Sequence, residues 1–224
     1  MKNLKLSEMI IIVTGAYGAT GSEIIKYFQP RVKFVVGTVR NINMRWKEKN
    51  GIFLTKCDLL ENDQVEGSIE LILDRIGIPH VLINTVGGFK IGKNVENCTN
   101  EWDKMYEINF QTTLNSINNI LPIMKKNNFG RIINFGSRSG EKGMAKAGPY
   151  SASKAAIHNL TKTISQEVSD NITCNAVLPD IIDTPINRES MTGENYNSWT
   201  SPSIIANKIE TIIKSKTNGQ LILV

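Results

Sequence analysis

Apolar and polar positions along the chain alternate between two periods. Short β-branched runs read as strands at Met9–Thr14, Phe34–Val39, Ile52–Thr55, Val81–Asn84, Arg131–Phe135, Ile172–Val177 and Gln220–Val224. Between them, helical spacing appears at Ser22–Gln29, Asp63–Arg75, Glu101–Met124, Tyr150–Val168 and Ser203–Lys214. Runs bounded by Gly, Pro and Asp, alternating with helices, predict parallel pairing, because each crossover returns the chain to the same end of the sheet. With right-handed crossovers this predicts an α/β fold: a doubly wound, Rossmann-like parallel sheet of about seven strands with helices on both faces. Residues 1–224 read as one domain, with no internal repeat or linker. The stretch Asp183–Pro202 is polar and weakly periodic, and reads as a mobile loop suited to act as a lid.

Composition adds little that changes this picture. The net charge is +5, but basic residues are scattered rather than gathered in a stripe, so no nucleic-acid partner is expected. The three cysteines, Cys57, Cys98 and Cys174, have neither disulfide-framework nor zinc spacing. No apolar run reaches the length of a membrane span, and the N-terminal apolar run leads straight into a glycine turn. The expectation is a cytoplasmic protein without a membrane or metal partner.

The candidate chemistry begins at Thr14-Gly15-Ala16-Tyr17-Gly18-Ala19-Thr20-Gly21, between the first strand and the first helix. Glycines permit a tight turn and close approach to a pyrophosphate, and the helix start offers free N–H groups. The second strand ends in Arg40-Asn41 without a carboxylate. A guanidinium there suits a 2′-phosphate, so NADP(H) is expected to be preferred, with NAD(H) possible. Asp58 and Leu59 follow the third strand, where an adenine contact is expected, and Asn84 ends the fourth.

Tyr150 and Lys154, four apart, fall on one helix face, where an ammonium can favour the phenolate of an acid/base tyrosine. Ser137 lies thirteen residues before Tyr150, just past the fifth strand, and could hydrogen-bond a carbonyl oxygen. Asn109, between Ile108 and Phe110, is either a core amide satisfied by backbone or part of a water relay to Lys154.

TGAYGATG, Asn84-Thr85-Val86-Gly87, Asn109, Ser137 and Tyr150-Ser151-Ala152-Ser153-Lys154 stand in the order and spacing of the short-chain dehydrogenase/reductase family, which the chain resembles along essentially its whole length. The resemblance implies hydride transfer between a nicotinamide dinucleotide and a small carbonyl or alcohol substrate. It implies Tyr150 as acid/base, Lys154 lowering its pKa and holding the ribose, Ser137 orienting substrate and Asn109 in a proton relay. It also implies dinucleotide contacts from Val86, Gly87, Pro179, Ile182 and Thr184, and a homodimer or homotetramer packed through the two long helices.

Three features depart from the usual family pattern: the spacing of Gly15, Gly18 and Gly21, Asn84-Thr85-Val86-Gly87 in place of Asn-Asn-Ala-Gly, and Pro179-Asp180 in place of Pro-Gly. The segment from Leu178 through Thr200 and the Gly15-Ala16-Tyr17-Gly18 of the first turn resemble dihydropteridine reductase and its relatives, whereas Arg40 and Ser137 do not follow that group. Dihydropteridine reduction is the competing enzymatic reading. A non-catalytic dinucleotide sensor is a third, opposed by the complete Asn/Ser/Tyr/Lys set.

Overall fold

The computed structural model describes residues 4–92 and 94–224. In chain order the elements are β1 (Ile10–Val13), α1 (Ala19–Phe28), β2 (Phe34–Val39), β3 (Trp46–Lys49), β4 (Ile52–Lys56), α2 (Asn62–Arg75) and β5 (Val81–Asn84). There follow α3 (Trp102–Met105), a π-helical turn (Tyr106–Gln111), α4 (Thr112–Asn127), β6 (Gly130–Phe135) and α5 (Ser139–Lys142). The chain continues through α6 (Gly148–Glu167), β7 (Ile172–Leu178), α7 (Pro185–Ser190), α8 (Pro202–Lys214) and β8 (Leu221–Leu223).

The strands form one sheet in the order β3-β4-β2-β1-β5-β6-β7-β8. Pairing is parallel except between β3 and β4. Successive side chains of a strand face opposite ways, and β1 divides accordingly. Ile11 and Val13 pack with Ile24 and Phe28 of α1 and Ile205, Ile209 and Ile212 of α8. Ile10 and Ile12 pack with Val65 and Ile72 of α2, Ile117 and Ile120 of α4 and Ile164 of α6. Both faces are covered, as near-continuous apolar strands require. Strand order reverses between β1 and β5, which opens a crevice at their carboxyl ends.

Three differences from the sequence expectation have physical causes. The eighth strand, β3, forms an antiparallel hairpin with β4 through Asn50-Gly51, whose φ values of 54° and 74° are those of a type I′ turn. Its sequence WKEK is an edge strand with no apolar alternation, anchored by Trp46 stacked on Phe53 at 5.3 Å. The helix expected over Glu101–Met124 is divided by the π-helical turn and extends to Asn127. Asp183–Pro202 is not a featureless loop. It carries α7 and a 3-10 turn at Tyr196–Ser198, and it is closed by a bridge between Ile182 and Thr200.

Between β5, β6 and α6 runs a buried polar ladder. Asn84 Nδ2 donates to Asn134 Oδ1 at 2.9 Å, and Asn134 Nδ2 donates to Thr161 Oγ1 at 2.9 Å. Removing the middle rung leaves the Asn84 amide without its acceptor, takes a donor from Thr161 Oγ1, which keeps its bond to the Ile157 carbonyl, and opens a cavity. Asn134→Ala is expected to cost about 2–4 kcal/mol of stability in urea unfolding. A loss below about 0.5 kcal/mol would show that the ladder does not hold these strands to α6.

Candidate active site

The sequence-named residues gather at the carboxyl edge of the sheet. Gly15 adopts φ +66°, and a Cβ there would fall 2.8 Å from Val86 Cγ2, so the turn after β1 lies directly against the loop after β5. That loop is pinned by Thr14 and Thr85: the Thr85 N–H donates to Thr14 Oγ1 at 3.0 Å, and Thr85 Oγ1 donates to the Thr14 carbonyl at 2.5 Å. A Cβ on Gly21 would overlap the Gly15 carbonyl oxygen. The turn is tied to β2 by the Ala16 N–H on the Thr38 carbonyl at 3.0 Å. Gly18 is the N-cap of α1 and brings no capping side chain, so the helix start at Ala19, Thr20 and Gly21 keeps donors free for an anion. Tyr17 is exposed at the lip of the turn.

Beyond β2, Arg40 and Asn41 are exposed, and no ion pair engages Arg40 among the described residues. Lys47 of β3 comes over the Tyr17 ring, 5.4 Å from its centroid. Sequence reasoning passed over this lysine, and the Asn50-Gly51 turn was the signal that could have found its strand. Asp58 is occupied locally, its Oδ1 accepting the Leu60 N–H at 3.1 Å. Leu59 is buried, and its carbonyl accepts from Asn115 of α4 at 2.8 Å. The Asn84 side chain is turned into the polar ladder, where its Oδ1 is buried without a partner.

The second cluster lies under the loops after β5 and β6. Lys154 is 5% exposed, and its Nζ donates to the Phe135 carbonyl, the last of β6, at 2.8 Å. Burial lowers its pKa to about 8. Nζ lies 5.8 Å from the centroid of the Tyr150 ring, one turn earlier on α6. Tyr150 differs from the expectation of a lowered pKa. Burial pushes it above its ordinary value, and a hydrogen bond with the Ser137 side chain offsets part of that rise. Ser137 Oγ also lies 2.9 Å from Ser139 Oγ.

Asn109 is fully buried on the π-helical turn. Its Oδ1 accepts the Gly88 N–H at 3.0 Å, and its Nδ2 donates to the Gly88 carbonyl and to Ser153 Oγ, each at 3.1 Å. The amide therefore clamps the β5 loop to α6. A Cβ on Gly87 would fall 2.6 Å from Asn109 Oδ1 and 3.5 Å from Lys154 Nζ, so Gly87 is the gap separating the two side chains.

After β7, Pro179 is buried, and Asp180 pairs with Arg138 at 3.6 Å across the two loop ends. The Ile182 carbonyl accepts from Asn187 Nδ2 at 2.8 Å, and Thr184 caps α7 with its hydroxyl. Trp199, buried, packs edge-on to Tyr196 at 4.7 Å. Phe89, 48% exposed, stands edge-on to Tyr150 at 4.9 Å and is a second residue that sequence reasoning missed. No local motif marks it.

A glycine turn facing a strand-order reversal, with a tyrosine–lysine pair beside it, is the arrangement of a dinucleotide-dependent oxidoreductase. The model of the short chain dehydrogenase family matches residues 9–195, and the chain belongs to that family of NAD(P)-dependent oxidoreductases. An NADPH-dependent pterin aldehyde reductase of Arabidopsis thaliana is 26% identical over 216 residues, covering 93% of this chain and 89% of that protein. An uncharacterized oxidoreductase of Staphylococcus epidermidis is 26% identical over 195 residues, 85% of each chain. Among solved structures, the ligand-free aldohexose dehydrogenase of Thermoplasma acidophilum superposes with a TM-score of 0.86 at 24% identity, covering 98% of this chain and 93% of that one. ElxO with NADP bound gives 0.87 at 22% identity, covering 97% of both chains. No helix among the described residues is long and apolar enough to cross a membrane.

The overlap at Gly21 yields a direct test. Gly21→Ala should force the turn open and weaken NADPH binding by at least about tenfold in a fluorescence titration, with the far-UV circular dichroism unchanged. Wild-type affinity in that variant would remove the turn from the dinucleotide site.

Proposed function

We propose that this protein is an NADPH-preferring carbonyl reductase in which Tyr150 is the acid/base and residues 1–224 form a single domain. The observation that carries the reading is the convergence of Tyr150, Ser137 and Lys154 beside the glycine turn. The residues suited to hold the dinucleotide are Gly15, Tyr17, Gly18, Ala19, Thr20 and Gly21 around the pyrophosphate, and Arg40 and Asn41 at the adenosine ribose. Asp58, Leu59, Asn84, Val86 and Gly87 border the adenosine side. Tyr150, Lys154, Pro179, Ile182 and Thr184 border the nicotinamide side. Uncapped donors at the start of α1 and a backbone stripped of Cβ atoms fit that group.

A nicotinamide dinucleotide bound there would supply or accept the hydride. Ser137 donates a hydrogen bond to the substrate oxygen, and Tyr150 gives that oxygen its proton. A tyrosine whose pKa lies above its ordinary value holds its proton near neutral pH, the protonation state that a proton donor to a carbonyl needs. Lys154 would hold the ribose of a bound dinucleotide and return a proton towards Tyr150, along a path that Gly87 leaves open beside the loop that Asn109 clamps. Phe89 gives the pocket an aromatic wall. The buried, unpaired cysteines suit a reducing compartment such as the cytoplasm. We place a homodimer or homotetramer contact on α4 and α6, the two long helices.

A second reading, dihydropteridine reduction at the ring, is favoured by the segment from Leu178 to Thr200, whereas the Arabidopsis relative is named for reducing a pterin aldehyde, which is carbonyl chemistry and falls under the first reading. Assay of benzaldehyde, an aldohexose, a pterin aldehyde and quinonoid dihydropterin with NADPH separates the two. Turnover confined to quinonoid dihydropterin would replace the first reading with the second.

Tyr150→Phe should lower kcat by about 10²–10⁴-fold and leave NADPH affinity nearly intact. Retention of more than roughly a tenth of wild-type kcat would exclude the acid/base role.

Cofactor choice tests Arg40. A charge-assisted hydrogen bond to a 2′-phosphate is worth about 1.5–3 kcal/mol, or roughly a 10- to 150-fold preference for NADPH over NADH in kcat/KM. Arg40→Ala should raise the KM for NADPH strongly and that for NADH little. Equal kcat/KM for the two cofactors in the wild type, or equal losses in the variant, would overturn the assignment.

A further inference from the structure

His158, one of two histidines in the chain, lies on α6 one turn beyond Lys154 and is 5% exposed. Its Nε2 accepts the backbone N–H of Ser137 at 3.3 Å. The ring fills a notch left by two glycines that bracket the serine. A Cβ on Gly136 would fall 2.5 Å from Nε2, and one on Gly140 would fall 2.7 Å from Cε1. Between the glycines, the Ser139 N–H donates to Ser137 Oγ at 3.2 Å. The segment that presents the Ser137 hydroxyl therefore rests on an imidazole, and a ring nitrogen can accept an N–H only while it carries no proton.

We propose that His158 is a positioning residue for Ser137, and that protonating its imidazole releases the Gly136–Gly140 loop and stops catalysis on the acid side. The proposal rests on the reading of Ser137 as the hydroxyl that meets the substrate oxygen. Protonated, Nε2 turns a donor towards a donor, the bond is lost, and the Ser137 N–H is left without its partner. Gly136 and Gly140 then give the loop backbone freedom to move.

The groups around the ring set where this happens. Burial is the largest influence and lowers the pKa of His158. Glu141 of α5 opposes it, while Lys154 and Lys162 of α6 reinforce it. The apolar Leu178 of β7 borders the same notch, 2.9 Å from where a Cβ on Gly136 would fall, and Arg138 in the loop itself is paired with Asp180. With the folded value below the ordinary imidazole value of about 6.5, the contact is complete above that pH. It is lost as pH falls through the lower, folded value. The acid limb of activity therefore lies below about pH 6.5.

The test uses the full chain and two readouts. In NMR, the Ser137 amide and the His158 Cε1–H should titrate together as the pH is lowered below about 6.5. His80, whose Nδ1 accepts the Ile10 N–H at 3.0 Å at the opposite end of the sheet, serves as the control imidazole. In kinetics, kcat is followed against pH with NADPH and the compound among the four above that is turned over fastest. His158→Gln presents an acceptor oxygen that does not titrate. It should keep kcat within about threefold at neutral pH and lose the acid limb. His158→Leu should lower kcat by about tenfold or more at every pH, with NADPH affinity unchanged.

A Ser137 amide that ignores the His158 titration overturns the proposal, as does a wild-type acid limb persisting in His158→Gln. Ser137→Ala separates the two readings. Wild-type turnover in that variant means that the serine assignment has failed, and the positioning role falls with it, whereas an inactive variant with an untitrating amide means that His158 alone was misread.

Discussion

Lys154 carries its charge to a place water scarcely reaches, and the Phe135 carbonyl, 2.8 Å from Nζ, is the contact that holds it there. Taking an ammonium out of water costs several kcal/mol unless acceptors meet it. The last carbonyl of a strand is such an acceptor, being free of the ladder at its end. This one bond sets α6 against β6. It thereby fixes Tyr150, one turn back on the helix, relative to Ser137, two residues past the strand. Gly87 leaves room for the ammonium from the other side, and Asn109 fixes the neighbouring Gly88 peptide through both atoms of its amide. The π-helical turn allows that reach by breaking the register of a long helix at the level of the site.

What could be read from the sequence follows from how local its cause is. The parallel strands and amphipathic helices were legible because burial on two faces writes its period directly into the chain. The glycine turn and the Tyr150/Lys154 pair were legible because each is complete within a few residues. Strand β3 was not, because an edge strand of sequence WKEK has no period to show, and only Asn50-Gly51 betrayed it. The segment after Asp183 reads as unstructured because it is held by hydrogen bonds and caps rather than by an apolar face: Thr184 capping α7, Arg188 on Asp183, and Thr200 bridging Ile182. Partners far apart in sequence were invisible for another reason. Asn84 with Asn134, Phe89 with Tyr150 and His158 with Ser137 meet only once the sheet exists.

The tyrosine illustrates how burial and charge compete. Spacing alone places an ammonium beside the phenol and argues for a lowered pKa, yet the ammonium is committed to Phe135 and the phenol is largely desolvated, so the net direction is upward. A group in that condition gives up its proton only as a developing negative charge on a neighbouring oxygen calls for it. That is the requirement on a general acid at neutral pH, and it is the opposite of the requirement on a resting base.

The two ends of the sheet divide structure from chemistry. At the amino end, polar groups are spent on the fold. Arg131 donates to the carbonyls of Gly130, Asn171 and Ile213, and His80 accepts the Ile10 N–H. At the carboxyl end, donors are left with capacity: the uncapped start of α1, the exposed Arg40, and an ammonium with one acceptor among the described residues. Parallel strands force this asymmetry. Every strand end at that edge opens into a loop or a helix N-terminus, so backbone donors and positive dipole ends accumulate on one side and attract an anionic ligand. The apolar layers stabilise the fold without regard to which end does the chemistry, and it is the small residues Gly15, Gly21 and Gly87 that let the loops at one end approach one another with no Cβ between them.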